Sequence, residues 1–174
     1  MKRTIAAGAG LALCLSSVAA RAQSDPPCIT VREMHGLVAY FMPAVLEEVS
    51  TNCAARLPES SYLRAGLRPL QTSLDQGKEA AWPLARAAFF KISNAKDAKT
   101  MTSLSDRALR PLVDEVLGEK MKIPVDGQMC GEINDIAEAL APLSPDQTIH
   151  LLATIFNTVA RKDRTVRSCP RQAG

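Results

Sequence analysis

Four cysteines, two histidines and one solitary arginine are the residues of this chain whose types and spacing could do chemistry. Of five cysteines in 174 residues, Cys28, Cys53, Cys130 and Cys169 lie well inside the chain, while Cys14 lies in its apolar start. A zinc site needs close-spaced ligands such as C-x-x-C or a neighbouring histidine. Cys28 and Cys53 are the nearest two and stand far wider than that, and neither His35 nor His150 lies at ligand spacing from a cysteine. An even set of widely spaced cysteines reads instead as two disulfides, formed in an oxidising compartment. No metal ion is expected.

Catalytic chemistry has few candidates. His35 lies beside an apolar stripe, where a packed structural histidine is the ordinary reading, and His150 shares a helical face with Thr154, Asn157 and Arg161. Neither belongs to a metal or triad motif. There is no Gly-rich phosphate loop, C-x-x-C-H haem site or C-x-x-C redox pair, so no cofactor is expected. Glu47-Glu48 and Asp114-Glu115 are adjacent carboxylates, and adjacent helical residues do not converge on one point. Arg86 stands out because it is the one charge between Glu79 and Lys91 in a run that is otherwise apolar. A buried arginine must find an anion. An internal ion pair, or a stem packed flat with its head in water, is the ordinary solution. A ligand site built from Arg86, Trp82 and Phe90 is the functional alternative.

The start of the chain gives its address. Lys2 and Arg3 precede an uncharged run from Thr4 to Ala20, followed by Ala20-Arg21-Ala22, with small residues where signal peptidase requires them. Residues 1–22 are therefore expected to be a cleaved secretory signal, leaving a single domain over 23–174 in the periplasm or outside the cell. The run is too short, and too diluted by Gly8, Gly10, Ser16 and Ser17, to serve as a membrane span. Cleavage changes the charge. All 18 acidic residues follow residue 22, whereas Lys2, Arg3 and Arg21 leave with the peptide, so the 21 basic residues fall to 18 and the mature chain is neutral. Such a chain offers nothing for bulk phosphate neutralisation, and no nucleic-acid partner is expected. The tail over 161–174 is locally basic, with Arg161, Lys162, Arg164, Arg167 and Arg171 against Asp163. Weak contact of that tail with anionic lipid is an expectation.

The elements are helical. Thr30-Val31-Arg32-Glu33 is a capping box opening a helix over 31–54, with Met34, Val38, Phe41, Val45 and Val49 on one stripe. Pro43 predicts a kink or two shorter helices. A second helix over 61–76 is expected to stop at Gly77. The apolar run 79–92, holding the only Trp, is the expected centre of the bundle. A helix over 105–117 stops at Gly118. Helices over 130–143 and from Ser144-Pro145-Asp146-Gln147 onward close the chain, the last with Ile149, Leu152, Ile155, Phe156 and Val159 as its core face. The expectation is an all-α, compact, disulfide-tied bundle of about five to six helices in one domain. Leu-x-Pro-Leu recurs at residues 67, 109 and 140 at unequal offsets and reads as chance rather than repetition.

Helix length constrains the disulfides. A straight helix from 30 to 53 puts its ends roughly 35 Å apart, whereas bridged Cα atoms lie within about 7 Å. A hairpin of the last two helices would bring Cys130 and Cys169 together, which forces Cys28–Cys53 and a sharp fold at Pro43. This pairing is the one preferred. The competing pairing, Cys28–Cys169 with Cys53–Cys130, keeps the first helix whole. In general architecture and in the wide Cys130–Cys169 spacing, the chain resembles the plant-type invertase and pectin-methylesterase inhibitors. Their first cysteine pair is much closer than Cys28 and Cys53, so the likeness transfers no residue and no activity. The functional expectation is a non-catalytic binding or interaction module with a protein partner in the envelope. The alternatives are a carrier of an apolar ligand lined by Met34, Phe41, Met42, Trp82, Phe89 and Phe90, and an enzyme using His35.

Overall fold

Thr30 opens the first helix as its sequence context predicts. Its hydroxyl accepts the Glu33 amide at 3.2 Å while the Glu33 carboxylate accepts the Thr30 amide at 2.8 Å. The computed structural model describes residues 28–93, 99–120, 124–161 and 168–170. In it α1 runs unbroken over Val31–Cys53. Pro43 does not divide it. The missing amide and the ring clash cost a helix about 3 kcal/mol, but Phe41 and Met42 are buried in two different core clusters. Packing on both sides carries the helix through.

A π-helical turn, Tyr62–Gly66, leads into α2, Arg68–Ile92. The two helices expected over 61–76 and 79–92 are thus largely one. Gly77 lies inside α2 with no positive φ, so it is not a left-handed cap. Its cost of about 1 kcal/mol in a helix interior is outweighed by burial along α1. The two helices run antiparallel: Lys91 meets Glu33 at 2.6 Å near one end, and Leu67 shares a cluster with Val49 near the other. Between these points α1 and α2 touch at Gly36. A Cβ there would fall 2.3 Å from the Cβ of Leu84, so the helices approach as closely as they do only because residue 36 lacks one.

Then come α3 (Asp106–Lys120), α4 (Gly127–Leu140) and α5 (Pro145–Ala160). Gly118 lies within α3 and does not stop it. Asp126 caps α4 through the Met129 amide at 2.8 Å. Ser144 and Gln147 form the expected capping box at α5, with Pro145 in its first turn. Trp82, Ala85, Ala88 and Phe89 are buried, as expected of the run 79–92, although Ile92 at its end is exposed.

The last two helices do not make the expected hairpin. Cys130, Ile133 and Ala137 of α4 pack with Val49, Cys53, Leu63 and Leu67, over the end of α1. Asn134 Oδ1 accepts the Leu63 amide at 3.1 Å and ties α4 to the π-helical turn. In α5, Asp146 lies beside His35, and Ile149 and Ala153 pack with Ile29, Met34 and Val38 near the start of α1. Thus α4 and α5 cover opposite ends of one helix instead of each other.

That placement decides the disulfides. Cys53 is bonded to Cys130 and Cys28 to Cys169, with Cα separations of 5.5 Å and 4.9 Å. The preferred pairing, Cys28–Cys53 with Cys130–Cys169, is wrong, and the resemblance that leaned on the Cys130–Cys169 spacing loses its basis. The length of α1 does keep Cys28 and Cys53 apart, and Pro43 does not fold the helix back to join them. Beside the second bridge the Cys169 amide donates to the Ile29 carbonyl at 2.9 Å, in an isolated bridge of Ile29 with Ser168. The segment 1–22, expected to be a signal peptide, and most of the basic tail lie outside the described residues. Among those described, no helix is long and apolar enough to cross a membrane.

Two measurements check this frame. Peptide mapping without reduction should yield Cys28–Cys169 and Cys53–Cys130 peptides, and reduction should lower stability by about 2–5 kcal/mol per bridge, since both close long loops. Gly36→Ala should cost about 1–3 kcal/mol in a denaturant titration, because the atom it meets is Leu84 Cβ, which moves only with its backbone.

Candidate interaction surface

Of the residues singled out in sequence, Trp82, Arg86 and Phe90 lie where α3 packs on α2. Trp82 is fully buried with Tyr40, Leu109 and Val113, and this burial supplies the main attraction, about 1.5–3 kcal/mol per large side chain. Ion pairs fasten the outside of the seam: Lys78 with Asp114 at 3.7 Å, Glu79 with Arg110, and Arg86 Nε with Asp106 at 3.2 Å. Each cation also covers a ring. Lys78 lies 4.7 Å from the Tyr40 centroid, Arg110 4.9 Å from Trp82 and Arg86 4.9 Å from Phe90. Arg86, about a third of whose side chain is exposed, therefore meets an internal carboxylate at the edge of the seam. Trp82, Arg86 and Phe90 share one side of α2 and each takes part in a cation–ring contact within the chain, while the buried Trp82 indole N–H has no hydrogen-bond partner. Tyr40 lies deepest. Burial, and then the Asp114 carboxylate that its hydroxyl meets, push its phenol well above the ordinary tyrosine value.

His35 is half-buried at the mouth of a groove between α1, α2 and the start of α5. Its Nε2 is 3.7 Å from Asp146 Oδ1, and its ring centroid is 6.3 Å from that of His150, which is exposed. The groove encloses about 340 Å³, walled by Gly36, Ala39, Gly77, Ala80, Leu84 and Ile149. It exists because small residues line both long helices there. Ser73 lies on its wall but makes no hydrogen bond to His35, so Ser73, His35 and Asp146 do not form a relay.

A second groove, of about 460 Å³, separates α1 from α3, and tertiary structure gives it a property that sequence spacing hid. Glu47 and Glu48 on one wall face Glu115 and Glu119 on the other. Carboxylates that cannot converge along one helix thus line the same groove from two. Even so, no group of three His, Cys, Asp or Glu side chains among the described residues could hold a metal ion.

The least expected surface is on α5. Ile149 of the predicted core face is buried, with Ala153 and Asn157 beside it, and Leu152 is half-buried, but Ile155, Phe156 and Val159 are not, and Leu151 is exposed with them. Leu151 is 39%, Ile155 48%, Phe156 49% and Val159 59% exposed. With no antiparallel α4 beside it, half of the apolar arc faces outward. Ile136 of α4 is exposed as well. The polar residues beside the α5 stripe are satisfied within the helix: the Thr154 hydroxyl donates to the His150 carbonyl and that of Thr158 to the Thr154 carbonyl, both at 2.8 Å. One sequence signal for this surface was available, since no Asp, Glu, Lys or Arg lies between Asp146 and Arg161. A helix exposing an uncharged face to water is unusual for a lone soluble domain.

Comparison with family models, with curated proteins and with solved structures returns no match.

The Tyr40 environment is testable by alkaline titration of a Tyr62→Phe chain, which leaves Tyr40 as the only tyrosine. Folding holds the proton on this phenol, so its contribution to stability is complete below the unfolded tyrosine value of about 10 and declines as pH rises above it. Phenolate absorbance should lag behind free tyrosine and appear together with loss of the folded state. Ionisation at the ordinary value in a folded chain would contradict the seam geometry.

Proposed function

We propose that this chain is an exported, non-catalytic interaction module of the cell envelope, and that it engages its partner through the outer face of α5. The observation that carries the reading is the row Leu151, Ile155, Phe156 and Val159, standing in water with no charge between Asp146 and Arg161 to keep that face solvated. Together these exposures leave on the order of 400 Å² of apolar surface, the size of the largest patch on an ordinary monomer, which is often functional. Export is supported by the Ala20-Arg21-Ala22 pattern and agrees with two disulfides that persist in an oxidising compartment. The carrier reading has less to stand on. Met34, Phe41, Met42, Trp82 and Phe89 are packed into core clusters rather than around an enclosed space.

A photoreactive residue in place of Ile155, in cells expressing the full chain, should give a cross-linked adduct in the envelope fraction. The same residue in place of exposed Asp135 should give none. The purified mature chain should begin at Gln23. Absence of an adduct from position 155, with the chain folded and exported, would remove the assignment of this face.

A further inference from the structure

We propose that the partner which this face takes is a second copy of the chain, joined by packing α5 against its own counterpart about a two-fold axis. The inference rests on the reading that the outer face of α5 is an interaction surface, and it names the occupant.

Charge narrows the choice first. An interfacial helix that binds an anionic lipid surface carries Lys and Arg on its polar face. The exposed polar positions of α5 are instead Asp146 in its first turn, Gln147, His150, Thr154 and Thr158, with no Lys or Arg anywhere in the helix. A strongly acidic or basic protein would likewise find nothing to pair with between Asp146 and Arg161. Contact between identical surfaces has the opposite requirement. In a two-fold interface each residue near the axis meets its own copy, so a charge there repels itself, and an uncharged face does not.

Spacing gives the second argument. Leu152, Ile155 and Val159 follow one another at steps of three and four, the interval that lets two helices interlock along a seam. Leu151 and Phe156 flank that seam, one on each side. Leu152 is half-buried, so the stripe is continuous from the core outward.

Area gives the third. A stable complex buries about 800 Å² on each partner, a little over half of it apolar, or about 450 Å². The four exposed side chains of α5 alone supply on the order of 400 Å² at ordinary residue sizes. Burying them also leaves the neighbouring Thr154 and Thr158 hydroxyls satisfied, because both are bonded within the helix. A convex helix face does not enclose a small ligand, whose sites are concave.

The test uses the mature, disulfide-intact chain and two opposite charges at the centre of the seam. Light scattering coupled to size exclusion should report a dimer that dissociates on dilution. Ile155→Asp and Ile155→Lys should each weaken dimerisation at least tenfold, because each places like charges together. An equimolar mixture of the two variants should recover a dimer containing one of each, which a merely damaged fold would not do. Circular dichroism melts like the parent's would show that the variants fold. If the parent chain is monomeric at every soluble concentration, or if mixing restores nothing, the second-copy inference is overturned. Cross-linking at position 155 then separates the two readings. An adduct with a different protein leaves the proposed function standing while removing the second copy, and no adduct at all removes both.

Discussion

The length of α1 is the constraint on which the rest of this molecule depends. A helix of 23 residues holds its two ends roughly 35 Å apart, and a cysteine lies at or beside each end. Those two cysteines cannot reach each other, so each must take a partner from the later half of the chain. The partners, Cys130 and Cys169, are then fixed at opposite ends of α1, and the helices attached to them follow. Hence α4 settles over Cys53 and the π-helical turn, α5 lies near Ile29, and the two do not lie side by side. The outward face of α5 is a consequence of where the bridges hold the chain.

The long helices depend in turn on each other more than on their own sequences. Within α1, α2 and α3 stand Pro43, Pro83 and Pro111, each a residue that an isolated helix would reject at a cost of about 3 kcal/mol. Contact along the antiparallel pair overrides this for α1 and α2, with Gly36 allowing the closest approach and Glu33 joined to Lys91 near one end. Burial raises the Glu33 carboxyl, but bonds from Lys91 and from the Thr30 amide and hydroxyl outweigh it, so the net displacement is downward. Glu33 thereby joins the cap of α1 to the last turn of α2. A carboxylate held below its ordinary value stabilises the fold above the unfolded carboxylate value, and that contribution is lost as pH falls through the folded one. The α3 seam is weaker per contact, since half-exposed ion pairs contribute about 0.2–1 kcal/mol each. It is set by the shapes of Trp82 and Tyr40.

These relations explain which parts of the structure were legible in the sequence. Local signals were read correctly wherever the physics is local: both capping boxes, the Pro145 start of α5 and the all-α class depend on residues within one turn. Pro43, Gly77 and Gly118 were misread because each is a breaker only in isolation, and no local pattern announces that a neighbouring helix will compensate. The disulfide pairing failed at the same point. Its geometry was sound, and the error entered through the supposed hinge. Arg86 met an internal carboxylate as the ordinary reading expected, but Asp106 as its partner required knowing that α3 lies along α2. Periodicity found the apolar arc of α5, yet it could not say how much of that arc would be covered, because coverage depends on where α4 goes.

The exposed half of α5 also bears on why a bridge belongs at Cys169. A surface helix normally holds its place by burying its whole apolar arc, and α5 buries only the flank carrying Ile149, Ala153 and Asn157. Turning that face outward forgoes part of the burial, at about 25 cal/mol for each Å² left in water. The Cys28–Cys169 bridge spans 141 residues of sequence and offsets such a loss by restricting the unfolded chain, without asking α5 to hide its outer face. Its neighbours reinforce it locally: the Cys169 amide bonds to Ile29, and the Ser168 hydroxyl reaches the Asn157 carbonyl at 3.3 Å. Covalent attachment and surface availability are therefore linked on this helix. A helix held by its own core could not have kept Ile155, Phe156 and Val159 free, and one with neither core nor bridge would not stay folded against α1.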